Sequence, residues 1–487
     1  MDATEIAGLE SELVDFLGEF DDCFGRSEPR EHLRTYVSGQ LSDLHRKSIE
    51  PIALAADVPP RTLQRFLELV EWDGERLRNK LQQTIARDHA DPDAIGIIDE
   101  TAHPKKGNHT AGVKRQWCGN TGKVDNCVVS VHTGYVAGDF QCLLDSDVYL
   151  PEDWADDLPR RRTTYIPDDV TFRTKPEIAL DQIRRCLGNG IRVAAWTFDE
   201  FYGRDGGFLS GLDALGQSYV AEVPRNFTGW VRSPHVLLRP TAWELKQPGK
   251  RRGFPRLAVT AAPPSEVRHL AAKSSVFRSR KWQPFHIKDS QKGPIVWEVK
   301  HADFYRKHAE GLPGPTHTLI IARNALDHDE VKYFVANTAA GSEIEKLTWL
   351  LQVAFSRFSI EHCFRQAKDE LGMDHFEVRG WRSIHRHMYV TQLSHLFCSR
   401  MRQTHREKNG RARGTHRGAG SRRRFGLRGG TVPTQASPVH SIPAGVESHR
   451  VLSAAKPNSA GESSKENARS AHRKRHQNRR VAFVPMG

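Results

Sequence analysis

Through residues 1–90 apolar side chains recur every three or four positions, as in Ile6, Leu9, Leu13, Phe16 and Leu17, and again in Leu63, Phe66, Leu67 and Val70. That period lays an apolar stripe along a helix, so residues 1–90 are predicted to form a helical region. Ser48 to Ala55 suits a short helix, Asp57-Val58-Pro59 a turn, and Pro60 the first position of a following helix, where a missing N–H costs little. Two short helices across a tight turn have the form of a helix-turn-helix. Its second helix would turn Arg61, Thr62, Gln64 and Arg65 outward to a DNA groove. An ordinary helical hairpin carries the same pattern.

At Ala94 the period changes. Ala94-Ile95-Gly96-Ile97-Ile98 is a continuous apolar run, suited to a buried strand that ends on Asp99. Two further strands are expected at Cys127–Val136 and Phe140–Leu144, then a helix over Lys175–Leu187 that Gly188 and Gly190 stop. Ile191–Phe198 reads as another apolar strand, also ending on an acid, Asp199. A helix near Gly207–Leu215 and a strand Ser218–Val223 follow. Strands first, then alternating helix and strand, imply an α/β sheet with a partly antiparallel start over residues 91–224.

Residues 225–340 are rich in Pro and basic residues, with strand-like pieces at Arg256–Thr260, Ile295–Val299, Thr318–Ala322 and Lys332–Ala336. They are expected to form a mostly β insertion. Helical periodicity returns over 341–402, in Ser342–Leu371 and again from Ser383 to Met401. Beyond it, residues 403–487 form a basic, low-complexity tail of Gly, Arg, Ser and Pro, a composition expected to be disordered.

Charge sharpens that boundary. The chain carries 72 Lys and Arg against 59 Asp and Glu, a formal +13. Residues 401–487 hold 19 basic and 4 acidic side chains, a net of +15, which leaves residues 1–400 at −2. The excess belongs to the tail, and the folded body is nearly neutral. No run of about 18 apolar residues offers a membrane span, and the acidic start Met1-Asp2-Ala3-Thr4-Glu5 is unlike a secretory signal. The seven cysteines form no Cys-x-x-Cys pair, which favours reduced thiols and a cytoplasmic protein over a zinc site or disulfide framework.

Chemistry enters through three acids. If the strands before Asp99 and Asp199 are neighbours, their carboxylates converge at one edge of the sheet. A third carboxylate would complete an oxygen site for a hard cation such as magnesium. In the helix near residue 360, Ile360, Phe364, Ala367 and Leu371 form a core-facing stripe, and Arg357, Glu361 and Lys368 share an adjacent face. Spacing alone favours the plainer reading, an i,i+4 surface ion pair with a solvated Lys.

Arg357-x3-Glu361-x6-Lys368 resembles the second part of the Tyr-x2-Arg-x3-Glu-x6-Lys signature of bacterial insertion-sequence transposases of the DDE type. The likeness runs through Ile360-Glu361-His362-Cys363-Phe364-Arg365-Gln366-Ala367-Lys368-Asp369-Glu370-Leu371-Gly372 and on to Arg386-His387. Four other stretches are similar in turn: Ile98-Asp99-Glu100-Thr101 with Pro104-Lys105-Lys106-Gly107, Gln116 to Lys123, Tyr149 to Trp154, and Asp199-Glu200-Phe201-Tyr202-Gly203. Together they resemble the insertion-sequence 701 family over about residues 20–400. The signature Tyr falls on Ala354, with Phe355 beside it.

That resemblance implies a ribonuclease-H-like catalytic core interrupted by the β insertion, with Asp99, Asp199 and Glu361 catalytic and binding two magnesium ions, for which manganese can substitute. It also implies DNA contacts by Arg357 and Lys368 near the cleaved phosphate. Lys105, Lys106, Lys114, Arg115 and Lys123 crowd a loop after the first acid, where they would grip phosphates. Trp282 and Trp297 suit either core packing or stacking on an unpaired base. The implied partners are double-stranded DNA, as transposon ends and target, and a second copy of the chain. The implied reaction frees a 3′-hydroxyl at the element's end and joins it to target DNA. Two alternatives stay open: an inactive remnant, frameshifted after about residue 402, that only binds DNA, or a metal-dependent nuclease that cuts without joining.

Overall fold

Five stripes of apolar side chains become five helices before the first strand: α1 (Ala3–Gly18), α2 (Ser27–Leu41), α3 (Ile49–Ala55), α4 (Pro60–Glu68) and α5 (Gly74–Asp88). The computed structural model describes residues 3–239, 256–259, 263–290, 293–308, 311–338 and 344–414. It divides at Gly418, and everything after that residue, with the tail and its reading frame, lies outside the described residues. Leu63, Phe66 and Leu67 are buried on α4 while Arg61 and Arg65 are exposed, so the helix presents one face inward and one to solvent.

The sheet begins with β1 (Ile95–Pro104), β2 (Lys114–Cys118), β3 (Lys123–Ala137) and β4 (Phe140–Val148), all paired antiparallel around β3. Short helices α6 (Glu152–Ala155) and α7 (Leu158–Thr163) lead to α8 (Lys175–Gly188), which opens on a full capping box at Thr174 and Glu177. Then β5 (Ala195–Phe198), α9 (Glu200–Gly203), α10 (Gly206–Ala214) and β6 (Tyr219–Val223) follow. Strand β5 runs parallel to β1, and β6 parallel to β5, so the central order is β4-β3-β1-β5-β6.

Next come β7 (Thr228–Trp230), β8 (Val236–Arg239), β9 (Arg256–Val259), β10 (Ser265–Glu266), α11 (Val267–Lys273), α12 (Ser275–Arg278), β11 (Gln283–Ser290), β12 (Gly293–Lys307), β13 (Pro313–Asn324) and β14 (Val331–Ala336). Strand β14 pairs antiparallel with β6, so most of these strands prolong the same sheet, and only β8 and β9 pair apart from it. The chain closes with α13 (Ile344–Ser356), α14 (Phe358–Arg365), a π-helical turn Gln366–Glu370 and α15 (Trp381–Gly414). Among the described residues no helix is long and apolar enough to cross a membrane.

Four readings of the pattern shift. Strand β1 does not stop at Asp99 but continues to Pro104, because its antiparallel partner β3 persists after the parallel partner β5 has ended. The expected strand from Ile191 shrinks to Ala195–Phe198, the part that pairs with β1. Strand β2 forms where a loop was expected, since its mostly polar composition hides a strand held by pairing with β3. The last helix runs past Arg402 to Gly414, so the helical period outlasts the apolar residues that announced it.

Candidate active site

Register places the first two acids. Ile98 is the last residue of β1 paired with β5, opposite Phe198, and Asp99 and Asp199 are the next residues on the two chains. There the chains part: β1 continues along β3 while Asp199 caps α9, its Oδ1 accepting from the N–H of Phe201 (3.0 Å) and Tyr202 (3.4 Å). Gly203 lets that turn sit flat on the sheet, since a Cβ there would lie 1.9 Å from the carbonyl oxygen of Glu222 on β6. Phe201 and Tyr202 stack edge to face beside it.

Burial and the neighbouring Asp199 push the Asp99 carboxyl up to about 7, while Arg357 opposes that rise. Asp199 is also raised, chiefly by burial. Arg357 stands among the acids. Arg357 Nη1 lies 3.5 Å from Asp99 Oδ2 and 3.5 Å from Glu361 Oε1, and its Nε lies 3.8 Å from Glu222 Oε2. Asp99, Glu222 and Arg357 are largely buried, whereas the Glu361 side chain is 53% exposed. Among the described residues no three carboxylate, imidazole or thiolate groups are drawn together closely enough to share one metal ion. Asp99 and Asp199 stand side by side where the strands part, and Glu361 reaches Asp99 through the guanidinium. Two neighbouring carboxylates, both raised by burial, are the oxygen donors a hard cation takes.

The core stripe on α14 is as its spacing predicts: Ile360, Phe364, Ala367 and Leu371 are all buried. The expected shared face of Arg357, Glu361 and Lys368 is not kept. The π turn begins after Arg365 and turns less per residue than an α-helix, which carries Lys368 inward. Lys368 is 8% exposed, and its Nζ donates to the Ala102 carbonyl (3.1 Å) and to Asn120 Oδ1 (2.7 Å). Lys105 is likewise engaged, donating to the Phe376 carbonyl (2.8 Å) with its ammonium over the Phe376 ring. Lys106 and Lys123 are exposed, Lys123 lying 3.8 Å from Asp125. Ala354 and Phe355 are buried, and Phe355 packs on Trp297 and Phe334, so the position of the signature Tyr belongs to the core here. Trp297 is core as well, while Trp282 is partly exposed beneath Lys300 and Arg323.

Sequence reasoning missed two acids. Glu222 joins the Arg357 cluster from β6, and Lys332 on β14 holds its other oxygen at 2.7 Å. Glu100 points to the opposite face from Asp99, where Lys175 (2.5 Å) and the Tyr202 hydroxyl (3.0 Å) bind it and tie α8 and α9 to β1. The signal for Glu100 was its place in Ile98-Asp99-Glu100-Thr101; Glu222 follows only from the pairing of β6 with β14.

A model of the family described as DDE superfamily endonuclease matches residues 19–294, more than half of the chain. The probable transposase for insertion sequence element IS701 of Microchaete diplosiphon is 35% identical over 190 residues, 39% of this chain and 47% of that protein. The chain thus spans about half the length of this curated relative.

Proposed function

The chain belongs to the DDE superfamily endonucleases, and from that premise we propose that it is the transposase of an insertion sequence. Enzymes of this family depend on divalent metal ions. The relative's name supports the narrower reading, and the meeting of Asp99 and Asp199 beside Arg357 is the observation that carries it. The central order β4-β3-β1-β5-β6, antiparallel on one side of β1 and parallel on the other, supports a ribonuclease-H-like core over 91–224 and 341–402. On this reading residues 225–340 are its β insertion and residues 1–90 a DNA-binding helical region, with α4 offering Arg61 and Arg65 to a groove.

Asp99 and Asp199 would hold the metal, two magnesium ions in the full site, with Glu361 turning in from the rim. Such ions activate an attacking oxygen and stabilise the leaving oxygen of a phosphodiester. Glu100, Lys175 and Tyr202 keep β1 and α9 in register, so the two carboxylates cannot drift apart. Arg357 can exchange its carboxylate partners for phosphate oxygens, which its planar fork of donors fits. Lys368 has a structural part: it braces the loop at Asn120 against β1. Acting at two ends of an element calls for two copies of the chain on double-stranded DNA.

The test uses purified protein and a supercoiled plasmid carrying the DNA that flanks the gene. Cleavage at the element's ends with magnesium, lost with chelator and in Asp99→Ala, Asp199→Ala and Glu361→Ala, is the expected result. Joined strands among the products separate a transposase from a nuclease. Binding without any cleavage by the wild type would overturn the proposal in favour of a remnant.

A further inference from the structure

The hairpin of β2 and β3 carries an apolar pair in an unusual place. Trp117 is 65% exposed and its cross-strand partner Val124 is 53% exposed. Among the described residues Trp117 is the only tryptophan that exposed. Neither the metal-binding acids nor the core uses this pair, and an indole held in water is a cost that a binding surface offsets.

The register says where the pair points. Paired residues in an antiparallel ladder share a face, and every second residue along a strand returns to it. Asp99 pairs with His132, and along β3 the same face passes through Ser130, Val128 and Asn126 to Val124, without a bulge in the pairings with β1 and β2. Trp117 and Arg115, paired with Val124 and Asn126, therefore lie on the face that carries Asp99. Eight positions separate His132 from Val124, which at a strand's rise is about 26 Å. That is the length of about eight base pairs of duplex at 3.4 Å each.

The hairpin is held rather than loose. Its turn closes with the N–H of Gly122 on the Cys118 carbonyl (2.9 Å), and Gly122 takes φ +64°, a conformation that favours glycine. Lys368 clamps Asn120 in that turn to β1 through the Ala102 carbonyl. Exposed Arg115 stands on the same face as the apolar pair, while Lys114 and Lys123, one residue out of step, fall on the other face, where they form surface pairs with Asp153 and Asp125. An exposed guanidinium beside an apolar centre complements duplex DNA, whose phosphates flank the apolar sugar edges of the minor groove.

We propose that the β2–β3 hairpin is a second DNA contact, with Trp117 and Val124 packing into the minor groove about eight base pairs from the phosphate at Asp99 and Arg115 on a flanking phosphate. The inference rests on the transposase reading for the identity of the DNA.

The test measures binding of the full chain to two duplexes that cover the junction between the element and host DNA. One extends about 20 base pairs to each side and the other about 5, short of the hairpin's reach. Trp117→Ala should bind the long duplex at least about tenfold more weakly than wild type, with no change on the short one. Trp117→Phe should recover most of the loss, and Leu326→Ala, which truncates an exposed apolar side chain elsewhere, should behave as wild type. Equal binding of the long duplex by Trp117→Ala and wild type overturns the proposal, as does an equal loss on both duplexes or in Leu326→Ala. The same preparations are assayed for metal-dependent cleavage. Cleavage by the wild type with no effect of Trp117→Ala sinks the hairpin contact alone. No cleavage, with a length-dependent loss in Trp117→Ala, removes the transposase reading and leaves the contact standing.

Discussion

Two carboxylates one step beyond a parallel strand pair repel each other unless a cation stands nearby, and in this protein Arg357 is that cation. Its position explains how the Asp99 charge can be buried. A site of this kind trades stability for chemistry. Asp99→Asn keeps the shape and removes one buried charge, so urea unfolding at pH 7 should show a gain of about 1–3 kcal/mol. Cleavage by the same variant should fall on the order of a hundredfold or more. Magnesium should raise the melting temperature of the wild type, since a ligand that binds only the folded state stabilises it, and should leave Asp99→Asn unmoved. An equal rise in both proteins would place the ion elsewhere.

At the scale of elements, the apolar runs made Ile95–Ile98 and Ala195–Phe198 readable as strands, and the acids after them readable as a pair. Their adjacency depended on β1 and β5 being neighbours, which no residue in either strand encodes. Two parts stayed hidden for local reasons: β2 is written mostly in polar residues, and the π turn at Gln366–Glu370 has no apolar signature yet rotates Lys368 from the predicted DNA face into the interior. Gly203 shows the opposite case, a motif residue whose reason appears only in three dimensions. Gly203→Ala would force α9 off β6, because the nearest obstacle is the backbone oxygen of Glu222. Overpacking against backbone costs about 1–3 kcal/mol, and α9 begins at Asp199, so cleavage should fall together with thermal stability. Wild-type cleavage in a Gly203→Ala protein of lowered stability would show that the position of α9 does not set the acid pair.

Across the whole described body, α15 joins the N-terminal helices to the sheet through buried polar groups. Tyr36 hydrogen-bonds His387 Nδ1 (2.9 Å), Gln40 reaches Thr391 and Ser394, and Arg386 donates to the carbonyls of Leu67, Val70 and Trp72 at the end of α4. On the face of the sheet that carries Asp99, a chain of hydrogen bonds runs from His103 through Ser130, His132 and Ser146 to Gln392. Burial holds these imidazoles neutral: His387 and His395 are pulled down to about 4 and His132 to about 3. Because the folded values lie below the ordinary 6.5, the unfolded chain binds more protons between about pH 6.5 and 4, so folding stability falls as the pH falls through that window. Three such groups give a slope of about 4 kcal/mol per pH unit once well below pH 6.5. The raised carboxyls of Asp99 and Asp199 work against it, each with one proton. Buried Asp147, paired with Arg185 and held well below the usual carboxylate range, adds a further loss only near pH 4 and below. Urea midpoints should therefore be flat above pH 7 and drop steeply from pH 6.5 to 5, and His395→Leu, which removes an imidazole with no hydrogen-bond partner among the described residues, should lessen the drop. A midpoint that stays level across that window would mean these histidines take up protons inside the fold, and the joint between α15 and the sheet would then be wetter than its packing implies.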